Sequence, residues 1–174
     1  MSTPAMLTFA VYNCNSTMKP FYLLLAVFVL STGISKLTTG SWNLPFGGNL
    51  AMALMLCFTA LGHFLFTRGM VLMVPSFIPF KKELIYLTGI AEIILGIALI
   101  FPSVRGYAGV VLIVLLILLL PANIYAAVLK VNYEKASFDG PGLSYLWIRI
   151  PLQVIFIAWL YYFSVRQYGE VAVS

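Results

Sequence analysis

Few side chains in this sequence can do chemistry, and each stands alone inside an apolar run. His63, Glu92, Asn123, Arg149 and Gln153 interrupt stretches that are otherwise aliphatic, aromatic or small. An imidazole near a carboxylate can hold and pass a proton. Arg149 and Gln153, one helical turn apart, would form a polar floor beside such a pair. One histidine with one carboxylate supplies too few ligands for a metal or haem site. Cys14 and Cys57 lie far apart and form no C-x-x-C pair, so Cys57, placed mid-span, reads as an inert buried thiol. These residues name no catalytic group and no resident cofactor, and they leave room for a quinone or a lipid as ligand.

The elements that carry these residues follow from composition. Of 174 residues, 62% are hydrophobic and 9% charged, with a formal net charge of +5. The mean hydropathy is +1.02. Soluble domains carry about a quarter charged residues. Lipid is therefore the main solvent expected here, which excludes a soluble enzyme, a disordered chain and a disulfide scaffold. A basic excess this thin also argues against nucleic-acid binding.

A span needs ~20 mostly apolar residues, and five stretches qualify: about Pro20–Leu37, Leu50–Phe66, Leu84–Phe101, Gly106–Leu129 and Tyr145–Val165. In lipid these must be helices, because lone strands leave their backbone groups unpaired. Gly40 to Asn49 and Pro102 to Gly106 read as breaks. Arg68 to Lys82 is apolar but short, and Pro75 and Pro79 forbid a regular helix there. It reads as an interfacial or re-entrant segment, placed to act as a lid. Lys130 to Ser144 is the long polar loop. The first 19 residues read as a polar N-terminal segment, with Met1 or Met18 as the start, and 166–174 as a short tail. Lys and Arg near the span ends divide seven against three, which places the N-terminus inside a plasma (inner) membrane crossed several times.

Depth brings the polar residues together. At ~1.5 Å per residue, His63 and Arg149 lie roughly 6 Å, Asn123 roughly 9 Å, and Glu92 and Gln153 roughly 12 Å from the inner ends of their spans. Thr59 and His63 share one helical face, as do Thr88, Gly89, Glu92 and Gly96, where small residues mark close helix packing. Pro121 frees a carbonyl near Asn123, a break of the kind that lines cavities. Each feature also has a structural reading. Glu92 with Arg149 could be a register-fixing ion pair, His63 a packing residue, and Asn123 interhelical glue. Lys36 would snorkel outward, and Trp42, Trp147, Tyr161, Tyr162 and Tyr168 would form interfacial belts.

From Ala51 onward the chain resembles the DoxX-like family of small membrane proteins. The resemblance lies in ALGHFLFTRGM (Ala60–Met70), MVPSFIP (Met73–Pro79), YLTGIAEIILGIALIFPSVRGYAG (Tyr86–Gly109) and LLPANIYAA (Leu119–Ala127). It implies an all-α bundle: a four-helix core at 50–165 plus one added N-terminal transmembrane helix at 20–37. His63, Pro75, Pro79, Glu92, Pro121 and Asn123 are the motif positions. The resemblance further implies an accessory subunit of a quinone- or thiol-linked membrane redox system, with a redox protein as partner. The cysteine pairs of a thiol relay are missing here. A membrane chaperone or assembly factor without catalytic activity is the alternative, and an oligomer is compatible with either.

Overall fold

The computed structural model describes residues 3–167, with side chains from Thr17 onward. Among these residues the chain is all-α. Its helices are α1 (Thr3–Thr39), α2 (Leu44–Leu65), α3 (Thr67–Met73), α4 (Lys81–Ala98), α5 (Arg105–Val128) and α6 (Leu146–Leu160). A 3₁₀ turn at Gly142–Tyr145 leads into α6, and a π-helical turn at Tyr161–Arg166 continues it. Four stretches are long and apolar enough to cross a membrane: Thr17–Thr39, Leu44–Leu65, Arg105–Val128 and Gly142–Arg166. The fifth expected span corresponds to α4, whose 18 residues include Lys81, Lys82, Glu83 and Glu92. That charge load sets it apart from the other four.

Several helix ends differ from the sequence expectation for local reasons. Helix α2 starts at Leu44, six residues before the expected Leu50. The Asn43 side chain accepts the Phe46 N–H at 3.2 Å, and Pro45 occupies the first turn, where its missing N–H costs nothing. Gly47 and Gly48 are contact residues within the helix, not breakers. A Cβ on Gly47 would meet Thr32 Cγ2 at 2.5 Å, and one on Gly48 would enter the Phe163 ring. Helix α1 likewise runs through Pro20 to Thr3, into the expected polar segment. Its far end has Lys36 donating to the Gly40 carbonyl beside the Trp42 ring. Trp42, Trp147, Tyr161 and Tyr162 are exposed, as a belt requires, while Tyr168 lies outside the described residues.

The segment expected to be irregular from Arg68 to Lys82 divides in two. A single non-helical residue, Phe66, separates α2 from α3. The Thr67 hydroxyl reaches the His63 and Phe64 carbonyls, a local bond that bends helix ends. Only Val74 to Phe80 is non-helical, which is the stretch holding both prolines.

One apolar core joins the long helices through Leu24, Met52, Leu99, Leu112 and Leu160, each almost fully buried. Helix α4 lies against α2 through Gly89 and Gly96: a Cβ on Gly89 would stand 2.9 Å from His63 Cβ, and one on Gly96 3.4 Å from the Ala53 carbonyl. At the end of the bundle reached by α3, the polar loop closes on an Asn132–Ser137 bridge. There the Ser137 hydroxyl bonds Asp139 and holds its carboxyl below the ordinary carboxylate range. Gly69 of α3 lies directly on the Tyr133 carbonyl, and the Phe66 and Tyr133 rings meet edge to face at 5.9 Å.

That contact leaves no room for a methyl group. Gly69→Ala is expected to destabilise the fold by about 1–3 kcal/mol, the usual cost of overpacking. Gly33→Ala, with nothing within 4 Å of its Cβ, is expected to leave the melting temperature in detergent unchanged or slightly raised. Thermal unfolding of the two variants beside the wild type checks both.

Candidate functional site

The close approach at Gly89 sets α2 and α4 in a register that joins two polar ladders. Thr59 and His63 stand one turn apart on α2; Thr88 and Glu92 stand one turn apart on α4. Glu92 is buried at 5% exposure. One of its carboxyl oxygens accepts the Thr59 hydroxyl at 3.0 Å, and the other lies 3.6 Å from His63 Nε2, an ion-pair distance. His63 Nδ1 lies 3.1 Å from both the Ile85 carbonyl and the Thr88 hydroxyl. The Thr88 hydroxyl itself donates to Ile85 at 2.9 Å.

This arrangement constrains the protons. The Ile85 carbonyl can only accept, which favours a hydrogen on Nδ1, while the single rotatable Thr88 hydrogen can meet either the carbonyl or the ring nitrogen. A protonated imidazole facing the Glu92 carboxylate forms an ion pair across the 3.6 Å between Nε2 and the carboxyl oxygen. Such a pair has zero net charge, which suits an apolar surrounding where a lone charge costs several kcal/mol.

The other expected residues distribute unevenly around this pair. Of the two pairings open to Glu92, the structure forms the one with His63 and not the ion pair with Arg149: depth along a helix leaves its rotation undetermined. The buried Nε of Arg149 has no hydrogen-bond partner. Gln153, also buried, donates across to the Leu116 carbonyl of α5 at 2.8 Å. Asn123 is buried, but its amide donates to Leu119 on its own helix at 3.1 Å. This contact does not join helices as expected. Pro121 does not interrupt α5 and sits on its exposed face rather than on a cavity. Pro75 and Pro79 lie within the irregular connection between α3 and α4, half-buried and exposed respectively.

A cavity of about 30 Å³, room for one or two waters, lies elsewhere, at the polar-loop end of the bundle. It is lined by Thr17, Met73, Asn132, Tyr133, Glu134 and Tyr145, among others, and by none of the five candidates. Among the described residues no three His, Cys, Asp or Glu side chains gather as a metal site would require.

Sequence reasoning missed a second polar cluster, at the opposite end of α2. Asn49, 1% exposed, donates to the Pro45 and Phe163 carbonyls at 2.8 Å each and accepts the Ser164 hydroxyl at 2.7 Å. Trp159 Nε1 donates to the Gly48 carbonyl at 2.9 Å. The π-helical turn at Tyr161–Arg166 presents the Phe163 carbonyl to Asn49. Every polar atom of the Asn49 amide is engaged, so this cluster is a fastening between helices. The signal was hidden because Gly40 to Asn49 reads as a loop.

The profile of the family described as Domain of unknown function (DUF8561) matches residues 52–164. No curated protein matches the chain, and no solved structure does.

The direct His63–Glu92 contact has an energetic consequence. A double-mutant cycle of His63→Ala and Glu92→Ala, read from unfolding in detergent, is expected to give a coupling of about 1–3 kcal/mol. The cycle of Arg149→Ala with Glu92→Ala should give a smaller one. Equal couplings would mean that Arg149 shares the carboxylate.

Proposed function

The chain belongs to the DUF8561 family, and we propose that it is an integral membrane protein binding the polar head of a small amphipathic ligand, a quinone or a lipid, within its bundle. His63 and Glu92 supply the proton-holding pair, and Arg149 supplies the donor that meets a ligand carbonyl or anionic group. The observation that carries this reading is the buried, unpartnered Nε of Arg149, in a bundle whose Glu92 carboxyl is already engaged by His63 and Thr59. A guanidinium nitrogen removed from water without an acceptor leaves a bond unmade, and a ligand oxygen would complete it.

In this reading α4 is a fifth crossing helix. Its first-turn charges Lys81, Lys82 and Glu83 lie at the boundary, and Glu92 is neutralised by His63. The seven-to-three distribution of basic residues supports an inside N-terminus in a plasma (inner) membrane. The sequence resemblance to the DoxX-like family is the support for an accessory place in a quinone- or thiol-linked redox system, with a partner protein supplying the electrons. A His–Glu ion pair suits the protonation of a quinone reduced by such a partner.

A second reading, an assembly factor that holds partner helices, is favoured by the closure of the His63–Glu92 network on Thr59, Thr88 and Ile85. Under it the polar residues only fix register, and apolar replacement of both His63 and Glu92 would preserve function.

Native mass spectrometry of the protein extracted gently from its own membrane separates the readings. The wild type is expected to carry a quinone or lipid whose occupancy falls about tenfold or more in Arg149→Gln, the loss for a hydrogen bond to a charged group. A wild type without such a molecule, or a variant that retains it undiminished, contradicts the ligand reading.

A further inference from the structure

The connection between α3 and α4 combines features that neither water nor hydrocarbon accommodates alone. Phe77 and Phe80 are 81% and 77% exposed. Arg68 and Lys82 are exposed on either side of them, and Glu83 is the one carboxylate in the same stretch. The backbone gives these side chains little freedom to fold back. Val74 is buried at the stem, Lys81 Nζ donates to its carbonyl at 3.0 Å, and Phe80 is held in the left-handed region at φ 53°. Pro75 and Pro79 stiffen the intervening turn. Lys82 stands over the Tyr86 ring at 5.9 Å, which keeps its ammonium group near the start of α4. Gly69, packed on the polar loop, fixes the position of α3.

We infer that this α3–α4 connection is a docking surface for the phosphate headgroups of anionic membrane lipids. Phe77 and Phe80 enter the boundary between acyl chains and headgroups, and Arg68 and Lys82 bind the phosphates above them. Exposed aromatic rings next to cations suit that boundary, where the rings reach acyl chains and the cations reach headgroups. Charge selects the lipid: three cations face one carboxylate, and each basic residue near an anionic surface contributes roughly fivefold in affinity. The surface rests on the membrane reading of the chain but not on the His63–Glu92 site, so either can fail without the other.

The test uses the full chain reconstituted in vesicles of equal phosphatidylcholine and phosphatidylglycerol, then extracted gently, with retained lipids weighed by mass spectrometry. The wild type is expected to retain phosphatidylglycerol several-fold above its share of the vesicle. Arg68→Gln with Lys82→Gln should lower that enrichment roughly fivefold or more. The charge-preserving pair Arg68→Lys with Lys82→Arg should keep it, which separates lost charge from lost folding. Lys130→Gln with Lys135→Gln, on the neighbouring polar loop, should also keep it. The inference is overturned by a wild type that retains the vesicle ratio, by enrichment that survives Arg68→Gln with Lys82→Gln, or by an equal loss when Lys130 and Lys135 are replaced.

Discussion

A carboxylate inside an apolar helix bundle must find its partners where it lies, because neither water nor flexible loops can reach it. Glu92 is that carboxylate, and its demand organises the bundle. Meeting it with His63 requires α2 and α4 to approach closely, and Gly89 under the imidazole permits the approach. The approach then places Thr59 and Thr88 where their hydroxyls complete both ends of the network. A side chain at residue 89 would push the helices apart and separate the pair.

Other parts of the fold serve the same register. The Asn49 cluster fastens the far end of α2 to the end of α6, with Trp159 and Ser164 as its other members. At the near end the kink at Phe66 turns the chain into α3, where Gly69 closes on the polar loop. Helix α2 is thus held at three levels: Asn49 at one end, the Glu92 network within, and the α3 contact beyond its last turn. Arg149 of α6 keeps a buried Nε without a hydrogen-bond partner, so the interior is satisfied around Glu92 and incomplete on another helix.

Much of this was legible in the sequence. The long apolar runs gave five of the helices, with α5 placed within a residue at either end, because hydrophobic length is a strong local signal. The stripe Thr88, Gly89, Glu92 and Gly96 was correctly read as an inward face, and all four residues are buried. Punctuation was less informative. Pro45 and the Gly47–Gly48 pair resemble a loop, but Pro is tolerated in a first turn and glycine is required where Phe163 and Thr32 press on the backbone. The sequence leaves two partners open for Glu92, for a different reason. Depth fixes height along a helix, whereas the choice between His63 and Arg149 depends on rotation and on the kink after Leu65. Asn123 and Pro121 show the same limit, since their positions on α5 became clear only with the helix packed.

The central claim is the direct pairing of His63 with Glu92, and the sequence makes it easy to observe. His63 is the one histidine in the chain, so labelling histidine ring nitrogens reports on that residue alone. Solid-state NMR in lipid bilayers, with glutamate side-chain carboxyl carbons also labelled, would measure the dipolar coupling from His63 Nε2 to a carboxyl carbon. The structure requires a coupling of direct contact, consistent with 3.6 Å from Nε2 to the carboxyl oxygen, and its loss in Glu92→Gln. A histidine nitrogen with no measurable coupling to any glutamate, in a folded protein, would contradict it.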